Sequence, residues 1–132
     1  MRPASGLLFY LTPLIQEFVG YRRVSTFPII AKRGTAMPAY LIALRKEAVR
    51  NPDAMAEYQR RSREIKASFD MVPRVVYGEV QALEGAPPDG VILLEFPTAE
   101  EARAWYDNPE YQDAVPFRQQ AADYDMFIVD GL

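Results

Sequence analysis

Residues 91–111 read VILLEFPTAEEARAWYDNPEY, and this stretch decides the fold. Val91-Ile92-Leu93-Leu94 is an apolar run closed by Glu95-Phe96-Pro97. A short apolar run bounded by proline reads as a buried strand. Pro97 has no amide hydrogen for a sheet ladder, so the strand stops there. Thr98 and Glu101 follow at capping-box spacing, which predicts a helix start. Ala102, Trp105 and Tyr106 share one face of that helix. Asp107-Asn108-Pro109 ends it and opens another helix, with Asn108 as the cap and Pro109 in the first turn. Strand, helix, break and helix are therefore specified, but no chemistry is.

Working outward, Pro38 to Leu44 is apolar on both alternating faces and reads as a strand. Ala39, Leu41 and Ala43 point one way, and Tyr40, Ile42 and Leu44 the other. Asn51-Pro52-Asp53 signals a helix start. Met55, Tyr58, Ser62, Ile65 and Phe69 recur at helical spacing as one buried stripe. Arg74 to Glu84 reads as a long strand, followed by the turn-rich loop Gly85 to Gly90. Pro116 is expected to kink or divide the last helix. Asp125 to Asp130 is the closing strand.

The order β-α-β-β-α-β predicts an α+β, ferredoxin-like fold, an antiparallel sheet with its helices on one face. The first and third strands are apolar on both sides, yet the helices cover only one. An uncovered apolar face of that size calls for a second copy of the sheet, hence a homodimer with two-fold symmetry.

Composition narrows the chemistry. The 132 residues fit one domain. There is no Cys, which excludes disulfides, thiolate nucleophiles and iron–sulfur clusters. There is no His, which removes the commonest general base and any Ser-His-Asp triad. No clustered carboxylate pattern points to a metal, and no cofactor is expected. The net charge of −3 makes no case for nucleic acid or an anionic membrane. Arg60, Arg61, Arg63 and Lys66 read as a solvated helix face without the interleaved aromatics of a nucleic-acid platform.

The charge is uneven along the chain. Residues 1–36 carry +4 and residues 37–132 carry −7. The apolar run Gly6 to Leu11 is too short and too broken by Pro13 to span a membrane, and no clean signal-peptide cleavage site follows. Residues 1–36 are expected to be a dispensable extension, disordered or preceding a start at Met37; a targeting peptide and a docking arm are the alternatives. Residues 37–132 form the domain, and a cytoplasmic location is expected.

From Met37 onward the chain resembles the domain of unknown function 1330 family of small dimeric α+β barrel proteins. The resemblance rests on Met37-Pro38-Ala39-Tyr40, Leu83-Glu84-Gly85, Leu94-Glu95-Phe96-Pro97 and Ala102-Arg103-Ala104-Trp105-Tyr106. Pro109-Glu110-Tyr111-Gln112, Arg118, Ala122-Asp123-Tyr124 and Phe127-Ile128-Val129-Asp130-Gly131 complete it. It implies the ferredoxin-like fold and dimerisation, and no established reaction. Asp70-Met71-Val72-Pro73 departs from the family's usual Gly-Gly turn, and Tyr77 stands where the family often has Arg.

Related dimeric barrels include cofactor-independent monooxygenases, isomerases and binding proteins, with ligands between sheet and helices. That placement makes Tyr58, Tyr77, Trp105, Tyr106 and Arg118 the candidate ligand-binding residues. Arg118 is either an anion anchor or, with greater weight, a structural partner of Glu95 or Asp123. Glu95, Arg118 and Tyr106 are the candidate catalytic residues, with Glu95 or a tyrosine moving a proton. The tyrosines and Trp105 read more simply as packing aromatics. A small-molecule-binding dimer is therefore expected. The alternative is a cofactor-independent monooxygenase or isomerase acting on an oxyanion-bearing substrate.

Overall fold

The structure is a computed structural model that describes residues 37–132. The extension expected over residues 1–36 lies outside the described residues. Strand β1 is Ala39–Arg45 and helix α1 is Pro52–Arg63. Strands β2 and β3 are Val72–Val76 and Gly90–Phe96. Helices α2 and α3 are Ala99–Asp107 and Pro109–Ala121, and strand β4 is Tyr124–Asp130. The strands lie in the order β2-β3-β1-β4, all neighbours antiparallel, which is the ferredoxin-like arrangement.

Each helix begins where its cap dictates. The Asn51 side chain accepts from the Ala54 amide at 3.1 Å, and Thr98 Oγ1 accepts from the Glu101 amide at 3.1 Å. Asn108 accepts from the Glu110 amide at 3.3 Å, with Pro109 behind it in the first turn. These contacts satisfy amides that have no partner inside the helix.

Strand alternation sorts the two faces. Leu41, Ala43, Ile92, Leu94 and Phe96 pack with Tyr58, Trp105 and Tyr111 in one core beneath the helices. Trp105 is fully buried, its ring centroid 4.4 Å from that of Tyr111 and 6.1 Å from that of Phe96. On the outer face, register places Ile42 between Leu93 and Phe127, and Tyr40 between Glu95 and Val129. Phe127 and Val129 remain 46% and 45% exposed.

Three expectations are corrected. Helix α1 ends at Arg63, so Ile65 and Phe69 belong to the segment beyond it; Ile65 still reaches the core. The long strand expected from Arg74 to Glu84 stops at Val76. Tyr77 has φ 55°, in the left-handed region, which turns the chain out of the sheet. Beyond it Leu83 stands 92% exposed. Pro116 does not divide the last helix, and α3 runs through it from Pro109 to Ala121.

Candidate functional site

The core beneath the helices contains a polar cluster built from both layers. Helix α1 supplies Tyr58, and α3 supplies Tyr111 and Arg118, seven residues apart and so on one helical face. Tyr77 enters from the end of β2 and Tyr124 from the start of β4. Gly90 makes the Tyr77 position possible. A Cβ there would meet the Tyr77 ring at 2.6 Å, so the ring lies directly against the bare backbone of β3.

The phenols pair. The hydroxyls of Tyr58 and Tyr111 are 3.1 Å apart, and those of Tyr77 and Tyr124 are 2.7 Å apart. Arg45, at the end of β1, lies 4.5 Å over the Tyr77 ring, faces the Tyr124 hydroxyl and bonds Asp89 at 2.8 Å. Burial pushes the Tyr58 phenol well above its usual value near 10. Burial does the same to Tyr77, with Tyr124 adding to it, and to Tyr111. All three phenols therefore hold their protons at neutral pH.

Arg118 is the central charge. It is 6% exposed, and its Nε is buried with no hydrogen-bond partner. Burial opposes its charge, but the hydroxyls of Tyr111 and Tyr58 more than offset this and raise its pKa. Its guanidinium lies 5.3 Å from the centre of the Tyr124 ring. No described carboxylate pairs with it. The expected partner Asp123 bonds Arg50 at 3.0 Å. The expected partner Glu95 lies on the opposite face of the sheet and bonds Arg74 at 2.8 Å. Leu94 and Phe96 point into the core, so strand alternation turns Glu95 outward. Glu95 therefore shares no site with Arg118.

Two spaces meet at Arg118. A small, partly open cavity of about 10 Å³ is lined by Tyr58, Tyr77, Tyr111, Tyr124 and Arg118, with Trp105 and apolar strand residues. That is room for about one water molecule. An open groove of about 400 Å³ lies outside, along Tyr106, Gln119, Asp123 and Met126. Arg118, Tyr124 and Met126 line both.

Of the residues expected from sequence, Tyr58, Tyr77, Trp105 and Arg118 come together around the cavity, and Tyr106 lies in the groove. Sequence reasoning missed Tyr111, Tyr124 and Arg45. The seven-residue spacing of Tyr111 from Arg118, and the alternation of Tyr124 with Met126 in β4, were the available signals. Among the described residues no group of three His, Cys, Asp or Glu side chains could hold a metal ion, and no helix is long and apolar enough to cross a membrane.

The fold and this buried tyrosine–arginine cluster define a small ferredoxin-like α+β protein. The chain belongs to the domain of unknown function 1330 family, whose model matches residues 38–132. It is similar to a protein of unknown function from Rhodopseudomonas palustris, at 18% identity and TM-score 0.50, covering 87% of this chain and 98% of that one. It is also similar to a dimeric ferredoxin-like protein of unknown function from Thermobifida fusca, at 13% identity and TM-score 0.48, covering 84% and 100%. Among curated proteins none matches.

Proposed function

We propose that this protein binds a small organic molecule between its sheet and its helices, anchored at Arg118, and that it acts as a cytoplasmic homodimer. The observation that carries the reading is the buried Arg118 Nε without a partner, at the junction of cavity and groove. Leaving a buried donor unpaired costs about 1–3 kcal/mol, a cost that a ligand acceptor removes. The cavity takes one water-sized group, so the body of the ligand lies in the groove, whose volume is in the usual range for ligand sites. The apolar outer face of the sheet supports pairing with a second copy. Residues 37–132 are the functional domain, and residues 1–36 are dispensable to it.

The test is native mass spectrometry of the protein purified from its source. A co-purified molecule that is lost in Arg118→Met supports the site. A ligand retained by that variant places binding elsewhere and refutes it.

A second reading is favoured by the protonated phenols beside a buried cation, an arrangement suited to stabilising an enolate. It makes the protein a cofactor-independent isomerase or monooxygenase acting on an oxyanion-bearing substrate. Its proton-transfer group would then be a tyrosine, Tyr106 included, because Glu95 lies across the sheet.

A further inference from the structure

The hydrogen-bond inventory of the cavity identifies the kind of ligand end group it takes. The side chains lining it include no Asp, Glu, Asn or Gln. Their polar members are four phenols, one indole and one guanidinium, and only the phenol oxygens can accept. Each phenol pair has two hydroxyl protons and one shared hydrogen bond. One proton of each pair is thus left to offer to a third group. Arg118 Nε offers another, buried and unused. The acids of the neighbouring groove are already engaged, Asp123 with Arg50 and Asp125 with Lys46 at 3.7 Å. Donors and positive charge are therefore both in excess where cavity and groove meet.

A neutral amide or alcohol would bring further donors into a space that already has too many. A water satisfies Nε but brings no negative charge to pair with the guanidinium. An acceptor-only oxygen bearing negative charge answers both deficits. We infer that the ligand is a small organic acid, a carboxylate or stabilised enolate, whose oxyanion enters the tyrosine cavity and accepts from Arg118 Nε and from one phenol of each pair. The inference rests on the ligand site proposed above and adds its chemical class. Apolar walls from Leu41, Ile92 and Met126 surround that oxygen. The rest of the acid lies along Tyr106 and Met126 in the groove.

The experiment uses the full chain and matched probes: acetate against acetamide, and benzoate against benzamide. Binding is followed by calorimetry, and by the arginine side-chain Nε–H signals in the NMR spectrum of ¹⁵N-labelled protein. The acids should bind about 10- to 100-fold tighter than their amides, the range for a hydrogen bond to a charged group. They should also shift one slowly exchanging arginine Nε–H signal, which is absent in Arg118→Met. Arg118→Lys keeps a charge without the Nε donor and should retain only part of the preference. Amides that match or exceed the acids at this site overturn the acid class and leave the binding site standing, as does a neutral co-purified ligand. If no probe binds at millimolar concentration and no molecule co-purifies, both the class and the site fall. The wild-type comparison of acid with amide needs no variant to fold.

Discussion

Replacing Arg118 by Met separates a binding residue from a structural one. The substitution keeps the aliphatic bulk and removes the charge. The structure shows what is lost. The interaction of the guanidinium with the neighbouring Tyr111 hydroxyl contributes at most about 1.5–3 kcal/mol, the range for a full hydrogen bond to a charged group. The approach of the guanidinium to the Tyr124 ring at 5.3 Å contributes about 0.5–1 kcal/mol. Against this, the variant no longer keeps a guanidinium out of water, a penalty of several kcal/mol, and strands no carboxylate. The opposing contributions are of similar size, so stability should stay within about 1–2 kcal/mol of wild type. Urea unfolding measures this, with an unchanged slope expected because the surface exposed on unfolding is the same. Ligand binding should fail in the same variant. A loss of about 3 kcal/mol or more would refute the reasoning, because it would reveal a buried anion that depends on Arg118. Combining Arg118→Met with Glu95→Leu should give additive effects, since the two residues lie on opposite faces of the sheet.

Ile42→Asp puts a charge at the centre of the outer face, between Leu93 and Phe127, and should convert a sedimenting dimer to monomer; a wild-type monomer at micromolar concentration would refute the pairing, since a stable interface buries more than about 1,200 Å². Gly90→Ala forces the Tyr77 ring away from a Cβ 2.6 Å distant, and should cost about 1–3 kcal/mol in thermal unfolding and perturb ligand binding; an unchanged melt would show that the ring shifts freely. A chain starting at Met37 should melt within a few degrees of the full chain and keep its oligomeric state, and a large drop would make residues 1–36 part of the folded unit. Tyr58, Tyr77 and Tyr111 hold their protons more tightly when folded, so their contribution is fully present below pH 10 and is lost as pH rises above it. Unfolding followed across that range should steepen towards about 1.4 kcal/mol per pH unit for each buried phenol, and a flat profile would show that water reaches the cluster.

Much of this architecture was legible because its signals are local. Asn51, Thr98 and Asn108 announce helix starts through side-chain chemistry that acts within three residues. The alternation of Leu94, Glu95 and Phe96 sorts the sheet faces within one strand. The long second strand was misread because residues 74–84 alternate acceptably. What ends β2 is the left-handed backbone at Tyr77, a conformation that a tyrosine does not advertise. Its only local hint is the following Gly78. The cause is tertiary: the Tyr77 ring rests on the bare backbone at Gly90, and its hydroxyl meets Tyr124, 47 residues away.

The same distinction explains why the site was half visible. Arg118 stood out as a charge on an apolar helix face, and a charge near a core calls for a partner. Sequence offered the nearest plausible carboxylates, but a sheet separates Glu95 from Arg118, and Asp123 is engaged by Arg50. The neighbours found instead are tyrosines brought from α1, the turn after β2, α3 and β4. Each alone reads as a packing aromatic; only their convergence makes a cavity rich in donors. A core that needed Arg118 only for packing would serve as well with Met or Leu there, with no buried donor to leave unpaired. The unpaired Nε of Arg118 among protonated phenols carries a stability cost, and an anionic ligand that accepts from it removes that cost.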